Sequence, residues 1–489
     1  MAETSVLLSG DLLSGGQEYR VHLSPDGLHW QLTNQKKDST EVSLPWSDIY
    51  SLVTDGQGET TQMNGEGKSF TIHFITHRRD KKWKATEKKF DVKEGDVSDW
   101  VRQIQANYRP ATPKRLLVIV NPIGGKGQGR QVYEKKVAPL FKTAGIETHV
   151  FITERAKHSE EIINNFDFSK VEGLVTVGGD GMYQEALNTL IQRNQKEAGI
   201  DINNPESVLK PLDIKFGIIP AGTGNGVSAL AAGVIDIETA ILHVIRGETI
   251  GFNIFGIYEP GKLLSYSGLL FAHGFSSAII KKTDEKRWMK TFRYPYVMIT
   301  HSFSKKQVYE PEIHLLEKTA GDDSQEIAES EGAAAPAKEK GWRRLEAMQQ
   351  MDMMIFICKI DTKQDKLKML PSSDSFTVFL TKLCAGWTYL KMMFGLMRQS
   401  SDAMDVPQLV VHQDVTGMKV KFNIDENPSL SEKEKMYGSL LNIDGELYKS
   451  ECGEVEIRLI SRYVPMYATP VDSFSSTPGE DPGEPPQTA

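Results

Sequence analysis

Apolar residues change their spacing twice along this chain. Up to about residue 110 they come in short runs, at 5–8, 19–23, 29–32, 41–44, 49–53, 70–75 and 88–92, separated by Pro25-Asp26-Gly27, Asp55-Gly56 and Asn64-Gly65. Short runs bounded by turn residues predict strands. A helix is predicted from about Val97 to Tyr108, with Trp100 on its inner face. Several strands closed by one Trp-bearing helix predict a small β domain over 1–110. After a linker at Pro110 to Pro113, the pattern alternates. Apolar runs at 115–120, 148–152, 173–177 and 215–219 read as strands, and amphipathic stretches at 130–143, 158–165, 182–194 and 236–246 read as helices. Such alternation predicts a parallel sheet covered by helices, here over 111–248.

From about Glu248 strands dominate again, at 250–257, 263–271, 352–360, 375–382, 408–412, 418–422, 438–442 and 454–460, with helices near 285–305 and 384–398. A second, β-rich lobe is predicted over 249–464. Within it, 318–345 is acidic, rich in Ala and poor in apolar residues, and is expected to be a disordered insertion. Residues 465–489 are expected to be a disordered tail, rich in Pro, Ser, Gly and acidic residues.

Three glycine-rich turns follow apolar runs of the middle segment: Asn121-Pro122-Ile123-Gly124-Gly125-Lys126-Gly127-Gln128-Gly129, Gly178-Gly179-Asp180-Gly181, and Pro220-Ala221-Gly222-Thr223-Gly224-Asn225-Gly226. In a parallel α/β sheet, ligands bind at the carboxyl ends of the strands, where all three turns are predicted to fall. Glycine turns let backbone N–H groups cradle phosphates. None completes a Walker A loop, and the G-x-G starts at Gly125 and Gly222 reach Arg130 and Val227 where a dinucleotide fingerprint needs glycine. Asp180 is the candidate general base, a carboxylate on a tight turn within reach of a hydroxyl; as an alternative it orients that hydroxyl or caps the following helix.

The ordered set NPIGGKGQG, GGDGMYQEALN and PAGTGNG, with Asn442-Ile443-Asp444-Gly445-Glu446 far downstream, resembles the diacylglycerol-kinase catalytic family. That family takes in diacylglycerol, sphingosine and ceramide kinases. KGQGRQVYEKKVAPLF, AGIDINNP and KRWMKTFRYPY are most similar to its ceramide kinases. The resemblance covers about 110–464. It implies an α/β nucleotide-binding lobe plus a β-sandwich lobe, diacylglycerol/NAD-kinase-like, preceded here by a pleckstrin-homology-like β domain. It implies ATP and Mg²⁺. The nucleotide site would comprise Asn121, Pro122, Ile123, Gly124, Gly125, Thr153, Glu154, Arg155, Ala156, Lys157, Glu185, Gly222, Thr223, Gly224, Asn225, Asp444, Gly445 and Glu446, with Arg287 and Arg293 on the phosphates. Gly178, Gly179, Asp180 and Gly181 would meet the lipid hydroxyl, and Asp444 or Glu446 would hold Mg²⁺, directly or through water. One departure is evident: Ala278, in Gly274-Phe275-Ser276-Ser277-Ala278, stands where relatives acting on sphingoid lipids carry a headgroup Asp.

The expected reaction is phosphorylation of ceramide on its primary hydroxyl, with sphingosine or diacylglycerol as alternatives. A non-catalytic lipid-binding adaptor is the reading of another class. The net charge of −8 argues against wholesale nucleic-acid binding. Cys358, Cys384 and Cys452 are too scattered for a disulfide framework or a zinc site, which suits a reducing compartment. Neither a signal peptide nor a membrane-spanning run is evident, so a peripheral protein acting from the cytoplasm is expected. Arg78, Arg79, Lys81, Lys82, Trp83 and Lys84 form a cationic patch expected to meet an anionic membrane. The Met- and aromatic-rich stretch 385–398 is a candidate for a calmodulin-type partner, with core packing as the commoner role of such a stripe.

Overall fold

The computed structural model describes residues 6–33, 41–55, 68–108, 111–318, 341–361, 367–398, 400, 405–424 and 431–469. At the N-terminus, β1 (Leu8–Ser14), β2 (Gln17–Leu23), β3 (Gly27–Leu32), β4 (Val42–Pro45), β5 (Ile49–Thr54), β6 (Ser69–His77) and β7 (Trp83–Val92) form one sheet in the order β4-β3-β2-β1-β7-β6-β5. All its pairings are antiparallel. Helix α1 (Val97–Asn107) closes it. The Asp96 side chain accepts the Ser98 N–H at the start of α1, and Val97, Trp100, Val101 and Ile104 point inward. This is the Trp-bearing helix that the sequence pattern predicts.

The next unit holds four parallel strands, β8 (Arg115–Val120), β9 (Glu147–Ile152), β10 (Gly173–Gly178) and β11 (Lys215–Pro220), in the order β9-β8-β10-β11. Strands β8, β10 and β11 are buried on both faces and are almost continuously apolar, whereas the edge strand β9 is mostly exposed. Between them run α2 (Gly129–Val132) and α3 (Ala138–Thr143), joined through a π-helical turn, then α4 (His158–Asn165) and α5 (Asp180–Glu197); α6 (Gly226–Ala232) and α7 (Ile237–Arg246) follow β11. The glycine turns therefore leave the carboxyl ends of β8, β10 and β11.

The second lobe contains β12 (Thr249–Glu259), β13 (Lys262–Ser267), β14 (Leu270–Gly274), α8 (Phe275–Asp284), α9 (Arg293–Ser302), β15 (Glu312–Glu317), β16 (Arg343–Arg344), β17 (Asp352–Phe356), β18 (Lys359–Asp361), β19 (Lys368–Leu370), β20 (Phe376–Thr381), α10 (Gly386–Met397), β21 (Leu409–Lys421), α11 (Glu432–Gly438), β22 (Leu440–Ile443), β23 (Glu446–Lys449) and β24 (Glu454–Tyr467). Two expected boundaries move. Strand β24 pairs antiparallel with β12 through Tyr467 and meets β11 in parallel at Met466, so order continues past 465 and one sheet joins both lobes. Met466 and Tyr467 are buried, which holds the chain in place beyond Pro465. Residues 341–345, expected within the insertion, carry β16 on the edge of β15, and the Trp342 ring packs under Lys419 and Arg458. Residues 319–340 and 470–489, the rest of the expected insertion and tail, lie outside the described residues.

The place of Trp83 in the cationic patch is also corrected. Arg78, Arg79, Lys81 and Lys84 are exposed, and Lys82 pairs with Asp80 at 2.9 Å. Trp83 is only 3% exposed. Its ring stacks on His243 of α7 with centroids 3.9 Å apart, and its backbone N–H donates to Thr239 Oγ1 at 3.0 Å. Trp83 joins the N-terminal sheet to the next unit, because an apolar ring gains more from a helix face than from water.

Candidate active site

The three glycine turns interlock. A Cβ on Gly222 would stand 2.3 Å from Gly179 Cα, and one on Gly125 would stand 2.7 Å from the Ala221 carbonyl oxygen. Gly125 also has φ +59°, in the left-handed region. Only glycine permits this approach, so the turns are one assembly rather than three separate bends. Asn121 shapes the first turn: its Oδ1 accepts the N–H groups of Ile123 at 3.1 Å and Gly124 at 3.0 Å. Asn225 closes the third, accepting from Gly222 N–H and donating to the Gly222 carbonyl, both at 3.1 Å. Ile123, Gly125, Thr223 and Gly224 are exposed at the turn tips, open to a ligand.

Asp180 begins α5 and reaches across to the third turn. Its Oδ2 accepts the Gly226 N–H at 2.9 Å and its Oδ1 the Val227 N–H at 3.0 Å. It thus caps α6, the helix after the third turn, and not α5, where Gly179 is the N-cap. Each oxygen keeps acceptor capacity for a substrate hydroxyl. Burial raises the Asp180 carboxyl above the ordinary range, while the two N–H groups pull it back. Gly178, Gly179 and Gly181 flank it, and Glu446 Oε1 lies 3.5 Å from where a Cβ on Gly181 would stand.

Asp444 has a structural role as well. Asp444 and Gly445 form the two-residue turn between β22 and β23, with φ +53° and +91°. Asp-Gly is the residue pair such a hairpin favours. The Asp444 side chain is turned inward, and Oδ1 accepts from Ser267 Oγ at 2.6 Å, Leu269 N–H at 3.1 Å and Leu270 N–H at 2.7 Å, while Oδ2 accepts from Gly268 N–H at 2.7 Å. It folds the bend between β13 and β14, where the apolar pattern predicted one strand over 263–271. Burial, with the Asp180 charge adding to it, pushes this carboxyl up to about 6 against those hydrogen bonds.

Mg²⁺ takes near-octahedral oxygens, commonly one or two carboxylates with phosphates and water. Asp444, with both oxygens engaged by four donors, does not fit as a direct ligand, which leaves contact through water for that residue. Glu446, exposed beside Gly181, is the remaining carboxylate of the pair. Among the described residues, no group of three or more His, Cys, Asp or Glu side chains is gathered to hold a metal ion. Asp444→Asn would turn its amide towards one of those N–H groups and leave a buried donor unpaired, a loss of about 1–3 kcal/mol. Chemical denaturation should show that loss, with the Mg²⁺ requirement of activity unchanged. A raised Mg²⁺ requirement would restore Asp444 as a ligand.

The other expected residues divide. Thr153 extends the pairing of β9, its N–H donating to the Val120 carbonyl at 2.9 Å, which sets it beside Asn121. Glu185, on α5, accepts from Ser159 Oγ at the start of α4. Ser159 and Ser267 are supporting residues the sequence reading missed, since no motif contains them. Glu154, Arg155, Ala156 and Lys157 form the exposed loop after β9, and Arg155 is held by Glu161 at 2.5 and 2.6 Å. Arg293 Nη2 donates to Tyr294 Oη at 2.8 Å, while its buried Nε has no partner. Arg287 lies in the 3₁₀ turn before α9, and its side chain is outside the described residues. Ala278 is buried on α8. The nearby Asp352 carboxylate is occupied by Ser276 N–H at 2.9 Å, Ser276 Oγ at 2.7 Å and Tyr389 Oη at 2.8 Å.

The model of the diacylglycerol kinase catalytic domain matches residues 115–257, the segment that carries all three turns. Residues 115–257 therefore carry a diacylglycerol kinase catalytic domain. Human (Homo sapiens) ceramide kinase is 36% identical over 286 residues, 56% of this chain and 52% of that protein. The human ceramide kinase-like protein is 24% identical over 523 residues, 95% of this chain and 91% of that protein. The match to ceramide kinase thus spans about half of that relative's length. A solved diacylglycerol kinase from Bacillus anthracis str. Sterne superposes with TM-score 0.46 at 15% identity, covering 74% of this chain and 99% of that one. Asp180 lies within the matched segment 115–257, and Glu446, at the start of β23, lies beside Gly181.

Proposed function

We propose that this chain is an ATP-dependent lipid kinase that transfers the γ-phosphate to the primary hydroxyl of ceramide, giving ceramide 1-phosphate. The observation that carries the transfer chemistry is the convergence of three glycine turns on Asp180. The similarity to ceramide kinase over half its length supports the choice of lipid. Backbone N–H groups of the first and third turns would cradle the phosphates of ATP. The lipid hydroxyl would donate its hydrogen bond to Asp180. As its oxygen bonds to the γ-phosphorus, the bond from that phosphorus to the bridging oxygen breaks, ADP leaves, and the proton passes to Asp180. Mg²⁺ would come with the nucleotide, with Glu446 as the protein carboxylate in reach, and would neutralise charge on the phosphates. Arg293 Nε, buried and unpaired, is a donor suited to a phosphate oxygen. The protein would act from the cytoplasm as a peripheral membrane protein.

Transfer of label from γ-labelled ATP to ceramide, sphingosine and diacylglycerol in parallel mixed micelles tests the reading. Label on ceramide alone is expected. Label on sphingosine or diacylglycerol would keep the mechanism and reassign the lipid, with the buried Ala278 as the first place to seek the reason. No label on any lipid, with lipid binding intact, would make the chain an adaptor.

A further inference from the structure

The burial of Trp83 leaves the aromatic side of the membrane question to another surface. Large apolar side chains stand exposed together on the second lobe. Trp288 is 80% exposed and Phe292 75%, both in the turn that leads from α8 into α9. On α9 the outward positions are Tyr296, Ile299 and Phe303, spaced as one helical stripe. Helix α10 continues it. Its inward side chains Tyr389, Leu390, Met392 and Leu396 are packed in the core, while Trp387, Lys391, Phe394 and Arg398 face outward at i, i+4, i+7 and i+11. The two helices meet where a Cβ on Gly386 would stand 2.4 Å from the Ser302 carbonyl oxygen, and Phe303 packs edge-on against Trp387 at 5.1 Å. The stripes are therefore one surface.

Along two segments of this surface the sequence carries charge of one sign. From Lys286 to Lys306 the chain carries Lys286, Arg287, Lys290, Arg293, Lys305 and Lys306 and no Asp or Glu, and from Lys382 to Arg398 it carries Lys382, Lys391 and Arg398, again with no acid. The Lys286 ammonium lies 5.9 Å from the centre of the Tyr296 ring. At the rim, Glu434 of α11 faces Lys305 at 3.5 Å. A chain of net charge −8 does not need this concentration of cations for solubility. Exposed Trp, Tyr and Phe ringed by Lys and Arg match the bilayer interface, where rings sit at headgroup level and cations meet anionic lipid. Among the described residues no single helix is long and apolar enough to cross a membrane. We propose that the outer face of α9 and α10, with the turn carrying Trp288 and Phe292, is the surface by which this protein docks on an anionic lipid bilayer. The proposal rests on the lipid-kinase reading for its purpose, since a bilayer holds the substrate, but not for its test. The alternative of a calmodulin-type partner on 385–398 fits α10 less well, because its inner apolar side chains are already in the core.

The test is sedimentation of the full chain, without nucleotide, on vesicles of phosphatidylcholine alone and of phosphatidylcholine with phosphatidylserine. Wild type should bind the anionic vesicles, with Trp fluorescence quenched by brominated lipid. Trp288→Ser with Trp387→Ser should lose that quenching and bind at least about tenfold more weakly, because two interfacial anchors are removed. Lys391→Glu with Arg398→Glu should lose about tenfold or more on anionic vesicles only, and less at high salt. Undiminished binding in both variants overturns the proposal. So does a loss confined to Arg78→Glu with Arg79→Glu and Lys81→Glu, which would return docking to the β6–β7 hairpin. A dimer or a Ca²⁺-calmodulin complex that the Trp pair abolishes, with vesicle binding unchanged, would reassign the face and overturn it too. Vesicle binding without label transfer to any lipid would leave the docking surface standing and remove the kinase reading.

Discussion

Asp180→Asn should abolish measurable phosphoryl transfer while nucleotide binding persists. General-base assistance is worth about 10²–10⁴-fold, and an amide cannot accept the hydroxyl proton. The variant has a structural cost as well. Asp180 holds the first two N–H groups of α6, and Asn offers one oxygen and one NH₂ in place of two oxygens. One N–H then loses its acceptor, at about 1–3 kcal/mol. Thermal unfolding and binding of a fluorescent ATP analogue, measured beside turnover, separate the two effects. A variant that binds nucleotide, stays folded and turns over at the wild-type rate would remove Asp180 from the chemistry. The pH dependence has a definite sign. Transfer needs the ionised carboxylate, so activity falls in acid, and burial shifts that limb above the pH at which an exposed Asp titrates. For stability the raised carboxyl works the other way: its contribution is present below the unfolded-state value and lost as pH rises through the folded-state one. Wild type should therefore lose stability relative to the Asn variant as pH rises through that interval.

Much of this site is legible in sequence because its logic is local. Strands β8, β10 and β11 announce themselves as nearly continuous apolar runs, each glycine turn follows its strand at once, and Asp180 stands inside one of those turns. The Asp444-Gly445 turn is local too, since a two-residue hairpin with both residues in the left-handed region favours this pair. What stays hidden depends on contacts distant along the chain. The donors to Asp444 lie 174 to 177 residues away, so a motif shows the carboxylate but not that its oxygens are already taken. The break between β13 and β14 is hidden for the same reason: 263–271 is apolar enough for one strand, and only Asp444 folds it back. Ala278 was legible as a departure. That the neighbouring carboxylate, Asp352, is bound by Ser276 and Tyr389 was not, because those three come from different elements.

Trp83→Ala should loosen the N-terminal sheet from the lobe that carries the active site. An aromatic ring among lysines at the start of a strand reads the same whether it faces water or a helix, and the α7 partner of its backbone N–H, Thr239, is 156 residues away. In the fold, the Trp83 ring lies on His243, with the Arg246 guanidinium 5.5 Å from its centre. Burial holds the His243 imidazole neutral by lowering it to about 3, with the Arg246 charge acting in the same direction, so the ring stacks on an uncharged partner. Around this contact, Ala85 N–H donates to Glu238 at 2.8 Å, and Asp48 binds both Arg246 at 3.2 Å and His77 at 3.1 Å. Tyr50 and Ile75 of the N-terminal sheet are buried with Trp83 in the cluster that includes the α7 side chains. Truncating a buried Trp costs about 3–5 kcal/mol. That loss falls on the junction, since β7 keeps its pairing with β6 and β1 without the ring. Calorimetry should then show the N-terminal unit unfolding ahead of the rest, and limited proteolysis should release it. Trp83→Phe, which keeps an aromatic face on His243, should recover most of the single transition. A Trp83→Ala protein that unfolds as wild type does, with the same resistance to protease, would mean that the remaining contacts hold the two units together.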